Sequence, residues 1–398
     1  MKVLFLIFVI AAPSLCATEC SAFDDVVSFD VVSYGATGSG QADDTQAFVK
    51  AWKDVCGATQ KSAKFVIPQN KIFMLQPLSL KGPCNPATIE VQLEGTVIAP
   101  KSIGDWKFLN EERKWIEFSD ISGIVIEGGG VIDGQGAAWW NSDDVSMKPT
   151  ALHLHNCKDG ILRSIHHMNS PRNHISVDMC SGLEISHVNI TAPMESPNTD
   201  GIDISGSSNV FIHSSTIQTG DDCIAINSGS SFVNISDIFC GPGHGISVGS
   251  LGRNGDDARV ENVHVRNCTF LGSLNGVRLK TWRGGQGYAR KIIFEDITVV
   301  GVKRPVIIDQ NYFGLLDEKK SAVKISEVSY RNVKGTTSGE RAVELSCDPN
   351  VGCNDIVLDH ISITKEDGGE SKASCTGAQG TCFLCNPIVS CLSNLHLV

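Results

Sequence analysis

Three short segments repeat one pattern at a fixed interval: Asp200-Gly-Ile-Asp-Ile204, Asp222-Cys-Ile-Ala-Ile226 and His244-Gly-Ile-Ser-Val248, with first residues 22 positions apart. Asp221 precedes the middle copy, so three carboxylates and an imidazole share the pattern. Crowded carboxylates repel, which raises the proton affinity of at least one while another stays ionised. A protonated acid beside an ionised base is the inventory of glycosidic-bond hydrolysis. Downstream, Asn275-Gly-Val-Arg-Leu279 repeats the pattern and brings Arg278 and Lys280, which strand alternation places on the outward face. A guanidinium fork grips a carboxylate with two hydrogen bonds and an ammonium adds a point charge, so the expected substrate is a polyuronic acid rather than a neutral glycan. Clustered Asp residues would also suit calcium, while one His among hard carboxylates disfavours zinc; no metal ligand is assigned.

These side chains need a scaffold that makes residues 22 apart into neighbours. A period of this size marks a repeat architecture, and Asn173-His-Ile-Ser-Val177 adds an upstream copy. Two more strand-like runs, Val210–His213 and Ser215–Ile217, lie between copies. Three short strands per turn predict an all-β, right-handed parallel β-helix; a leucine-rich repeat lacks its Leu pattern here. Rungs about 4.8 Å apart then stack Asp200, Asp222 and His244 in a column. Strict alternation would turn Asp200 inward with Ile202 and Ile204, where an unpaired carboxylate is costly, so a turn or bulge at Gly201, Cys223 and Gly245 is expected to re-aim it. Asp43–Cys56 carries the one clear helix signal: Asp43 and Gln46 resemble a capping box, and Phe48, Ala51, Trp52 and Val55 recur at helical spacing. This helix should cap the solenoid's N-terminal end and a Cys-rich tail from about Cys347 to Cys391 its other end, giving one domain.

The chain has 398 residues, 41% of them hydrophobic, with 44 Asp and Glu against 33 Lys and Arg and a net charge of -11. That balance argues against nucleic acid, and the cations that hold a polyanion must be local. Residues 1–17, MKVLFLIFVIAAPSLCA, read as a secretory signal, too short to span a bilayer, which leaves a mature domain over 18–398, no membrane partner and an extracellular location. Removing one of the 15 Cys leaves an even number suited to disulfides. Asn189, Asn234 and Asn267 head glycosylation sequons.

Asn198-Thr199-Asp200, Gly220-Asp221-Asp222, Gly243-His244-Gly245 and Arg278-Leu279-Lys280 resemble, in order, the four signature motifs of polygalacturonases, the pectin hydrolases of glycoside hydrolase family 28. The similarity looks plant-like. It extends from Phe29-Asp30-Val31 and Tyr34-Gly35-Ala36 through Ile132-Asp133-Gly134 and Trp139-Trp140 to Asp309-Gln310-Asn311-Tyr312. The resemblance implies a cleft along one face, single displacement with inversion, and no cofactor. It makes Asp221 the proton donor, with Asp200 and Asp222 activating water and His244 tuning the acid. Arg278, Lys280 and Tyr312, joined by Asn198, would bind galacturonate. One-rung spacing of about 5 Å resembles retaining enzymes rather than the roughly 6.5 to 9.5 Å of inverting ones, and the resemblance is preferred because rung spacing measures backbones. The implied substrate is polygalacturonate, or pectin, of the plant cell wall, cleaved by a monomer. Endo action is favoured over exo because the stretch Arg278–Trp282, with Gly284-Gly285 after it, resembles endo-acting plant members. The rivals are a calcium-dependent pectate lyase and a catalytically silent pectin-binding wall protein.

Leu279 stands where Ile is more usual, and Phe313 where plant members commonly carry Cys. Cys223 with Cys240 and Cys347 with Cys353 are expected disulfides, while Cys375, Cys382, Cys385 and Cys391 allow three pairings. His166-His167 reads as a surface or rung-edge pair, Trp139-Trp140 and Gly128-Gly129-Gly130 as packing and turns, and Lys319-Lys320 as a solvated loop.

Overall fold

The computed structural model describes residues 26–108, 113–141, 147–312 and 322–395. The expected signal segment 1–17, Phe313 and Lys319-Lys320 lie outside them. Alternation of apolar and polar residues sets the architecture. In Ile202–Ser205 the two Ile side chains are buried while Asp203 and Ser205 face outward, and successive strands repeat this in register. Ile175, Ile202, Ile224, Ile246, Val277, Val306 and Val343 form one apolar column, and Val177, Ile204, Ile226, Val248, Leu279, Ile308 and Leu345 a second. Each side chain in these columns is at most 1% exposed. Burying such a residue contributes about 1.5–3 kcal/mol, and truncating one, as in Ile224→Ala, would cost about 2–5 kcal/mol.

The columns line an 11-stranded parallel sheet running from Leu78–Lys81 to Lys372–Thr376, and a second sheet of 20 strands wraps the rest of each coil. The fold is the expected right-handed parallel β-helix. The two predicted runs between repeats merge into one strand, Ser208–Gln218, bent at Ser214 with φ 51°.

The helix spans Thr45–Gly57 and buries Phe48, Ala51, Trp52 and Val55. Its start differs from the predicted capping box: the Asp43 carboxylate accepts from the Thr45 backbone N–H at 3.1 Å. Phe48 and Trp52 meet Phe65, Phe73 and Phe118 edge-on, which seats the helix on the first coils. At the other end Lys372–Thr376, Ala378–Asn386 and Ser393–Leu395 extend the sheets. Disulfides join Cys223 to Cys240 and Cys347 to Cys353 as expected. The tail adopts Cys375–Cys391 and Cys382–Cys385, and Cys56–Cys84 is additional. The even count does not mean full pairing: Cys157, Cys180 and Cys268 are buried thiols. They fill the core as small apolar groups.

The reading of His166-His167 as a surface or rung-edge pair is corrected for His167. Alternation exposes His166 and buries His167 completely, with its ring 5.1 Å from that of His174. Trp139 packs, as expected, against Trp106 and Phe108. No helix of the described residues is long and apolar enough to cross a membrane.

Candidate active site

At the repeat register the backbones of successive coils approach closely. A Cβ on Gly220 would collide with the carbonyl oxygen of Ser196, and Gly245 adopts φ 90° with Asn275 and Gly276 carbonyls against it. Side chains cannot occupy those points, so the chain turns there, as the buried-carboxylate argument requires.

The turn delivers Asp222 to the outward face, where it is fully buried. Ser247 Oγ and Arg278 Nη2 donate to its Oδ1 at 2.9 and 2.6 Å, and Lys280 Nζ donates to Oδ2 at 2.7 Å. Ser247 and Arg278 lie in register on adjacent strands, so the clamp is built by the ladder itself. The two cations are each 7% exposed, so the expected open cationic patch is modified. Both heads neutralise Asp222, because a carboxylate removed from water must be paired. Two cations on one anion leave one positive charge over, which faces Asp221 beside it. The Tyr312 ring lies 5.3 Å from Lys280 Nζ and meets Trp282 edge-on at 5.6 Å.

Asp221 Oδ1 pairs with His244 Nδ1 at 2.9 Å and accepts the Asp222 backbone N–H at 2.9 Å; Asn198 Nδ2 reaches its Oδ2 at 3.5 Å. Burial pushes the Asp221 carboxyl up, but the hydrogen bond and charge of His244, with the Lys280 charge, hold it below the usual carboxylate range. Asp200 shows the opposite: burial, then the charges of Asp203, Asp221 and Asp222, drive it well above that range against the pull of Lys280. Neighbouring carboxyls of one cluster are thus shifted in opposite directions. All eight sequence-derived candidates fall in this neighbourhood.

Three further residues escaped the sequence reading. Asp203 is raised to about 7 by burial and the Asp222 and Asp221 charges, with Arg172 and Lys280 opposing, and its buried Oδ1 lacks a hydrogen-bond partner. Its signal was available: it alternates outward, in register with Ser176 and Ala225. Ser247 is the second. His174, within the upstream repeat copy, is the third: its Nδ1 lies 3.1 Å from the Asp200 carbonyl oxygen, and its Nε2 accepts the Ser170 N–H at 3.3 Å. A carbonyl only accepts, so Nδ1 carries the proton, and burial pushes the imidazole down to about 4, which keeps it neutral.

Donor atoms of Asp221, Asp222 and His244 lie within 4.8 Å of one another, as a metal would need. Both Asp222 oxygens are already held by cations, so a metal would have to displace Lys280 or Arg278; the cluster does not fit a calcium site.

A sequence profile of glycosyl hydrolases family 28 matches residues 56–386. The chain belongs to this family. A probable polygalacturonase of Arabidopsis thaliana is 46% identical over 373 residues, 92% of this chain and 80% of that protein. An endo-xylogalacturonan hydrolase from Aspergillus tubingensis superposes with a TM-score of 0.77 at 25% identity, covering 89% of this chain and 96% of that one. An exopolygalacturonase from Thermotoga maritima gives 0.72 at 20% identity, covering 87% and 90%. The solved structures that share the fold of this family 28 chain therefore include an endo-acting and an exo-acting enzyme.

Proposed function

We propose that this family 28 chain is a polygalacturonase that hydrolyses α-1,4 links of de-esterified homogalacturonan with inversion. The observation that carries the reading is the pairing of oppositely shifted carboxyls with an Arg–Lys clamp on one face of the solenoid. In the assignment we adopt, Asp221 gives its proton to the glycosidic oxygen and the C1–O bond breaks. Asp222 takes a proton from the water that attacks C1 from the opposite face, and Asp200 helps to hold that water in place. His244, hydrogen-bonded to Asp221, orients that carboxyl, tunes its protonation and contacts the substrate. Arg278, Lys280, Tyr312 and Asn198 hold the galacturonate at the cleavage point. Solvent then returns the proton from base to acid.

A second assignment, Asp200 as donor and Asp221 as base, is favoured by the raised Asp200 and the lowered Asp221 in the free chain. An aryl galacturonide with an acidic leaving group needs no donor, so it should rescue the Asn variant of whichever Asp is the acid. Rescue of Asp200→Asn but not Asp221→Asn would overturn the first assignment.

We further infer endo action, from the Arg278–Trp282 stretch with Gly284-Gly285, and secretion of a single-domain monomer to the plant cell wall, from residues 1–17 and the disulfides. Products formed on polygalacturonate decide the matter. Saturated reducing ends with an early fall in viscosity are expected. Monomer release with slow viscosity loss would mean exo action, chelator-sensitive unsaturated ends a lyase, and no product a binding protein.

A further inference from the structure

A second chemistry-bearing cluster lies on the same outward sheet face, N-terminal to the acid cluster. His153 stands in register with Glu117 on one neighbouring strand and Ser176 on the other, and Ser176 in turn with Asp203. His155, two residues further on the same face, is in register with Asp178. One nitrogen of each imidazole and one carboxylate oxygen of Asp178 lie within 4.8 Å of one another. His155 Nδ1 and Asp178 Oδ2 are 2.8 Å apart, close enough for a single cation to bridge them in place of the proton they share.

The surroundings are those of a ligand set held in position. Ser205 Oγ donates to Asp178 Oδ1 at 2.7 Å, and Ser79 Oγ and Lys114 Nζ donate to Glu117 at 2.6 and 2.9 Å. His153 is 5% exposed, and its Nδ1 is buried with no hydrogen-bond partner, 3.5 Å from Glu117 Oε1. A buried imidazole nitrogen without an aligned partner is costly, and the roles proposed at the acid cluster do not use it.

We propose that His153, His155 and Asp178, with Glu117 beside them, bind a divalent transition-metal cation of the zinc or copper class. Two imidazoles and a carboxylate suit such a borderline cation, whereas calcium and magnesium prefer oxygen ligands throughout. The serine and lysine donors orient the carboxylates as outer-shell groups do in metal proteins.

The test uses the full secreted chain without a polyhistidine tag, stripped by chelator and titrated calorimetrically with zinc chloride at neutral pH. One equivalent is expected, and the zinc-edge absorption spectrum should show two imidazoles. His153→Gln/His155→Gln should weaken binding at least about tenfold, while His244→Gln should retain it. Absence of a stoichiometric equivalent, or one bound through a single imidazole and lost in His244→Gln, overturns the proposal. The spectrum is read on the unsubstituted chain, so it decides even if the double variant fails to fold.

Discussion

Replacing Lys280 with Met removes the ammonium 2.7 Å from Asp222 Oδ2 while keeping an apolar stem of similar length. Asp222 would then be a fully buried carboxylate with one oxygen unpartnered. Breaking a buried pair from one side costs about 3–5 kcal/mol. Arg278 remains on the other oxygen at 2.6 Å, so the lower end, about 3 kcal/mol, applies. At about 2 °C per kcal/mol for a chain this long, Tm should fall by about 6 °C in a calorimetric scan at fixed rate. A cycle with Asp222→Asn isolates the pair: the double variant should lie at least about 1 kcal/mol, roughly 2 °C, above the sum of the singles. If Lys280 also grips a substrate uronate, a lost charge-assisted hydrogen bond of about 1.5–3 kcal/mol lowers kcat/KM on polygalacturonate about ten- to hundredfold. A Tm within 1 °C of the parent, or additivity across the cycle, would refute the buried-clamp reasoning.

Asp221→Asn should abolish turnover of polygalacturonate and leave binding of galacturonate oligomers, measured calorimetrically, within a few fold; unchanged turnover would remove it from the chemistry. Asp203, raised to about 7, holds a proton in the folded chain that the unfolded chain releases near 3.8. Its contribution to stability is therefore complete below pH 4 and is lost as pH rises toward 7, by about 1.4 kcal/mol per unit. Tm measured between pH 4 and 7 should fall less steeply in Asp203→Asn than in the parent, and equal slopes would count against the burial argument. Replacing Cys223 and Cys240 by Ala opens a link of sequence separation 17 beside Asp222 and should cost about 3 kcal/mol, read as a fall in Tm.

The solenoid was legible because the 22-residue interval and strand alternation are properties of the chain alone; Ile202, Ile224 and Ile246 occupy the predicted column. The acid cluster was legible for the same reason, since register makes neighbours of distant residues. What alternation could not give is direction at a turn. The swing of Asp222 onto Arg278 and Lys280 depends on backbone approach at Gly220 and Gly245, a contact between coils with no local signature. Nor could it show that the two cations are spent on a carboxylate. His174 was hidden because it acts through the backbone carbonyl of Asp200, and a hydrogen bond to main chain leaves no constraint on partner type.

The ladder that aligns Asp203, Ala225, Ser247 and Arg278 also makes this sheet face a ruler with indivisible graduations. A functional group can be moved along it only by whole strands of about 4.8 Å, with finer adjustment left to rotamers. A coil added or deleted outside residues 200–280 would lengthen or shorten the track without disturbing the gap between acid and clamp. The length of that face and the geometry of the cluster are thus separately heritable in such a chain, the first written in the number of coils and the second in the side chains of four.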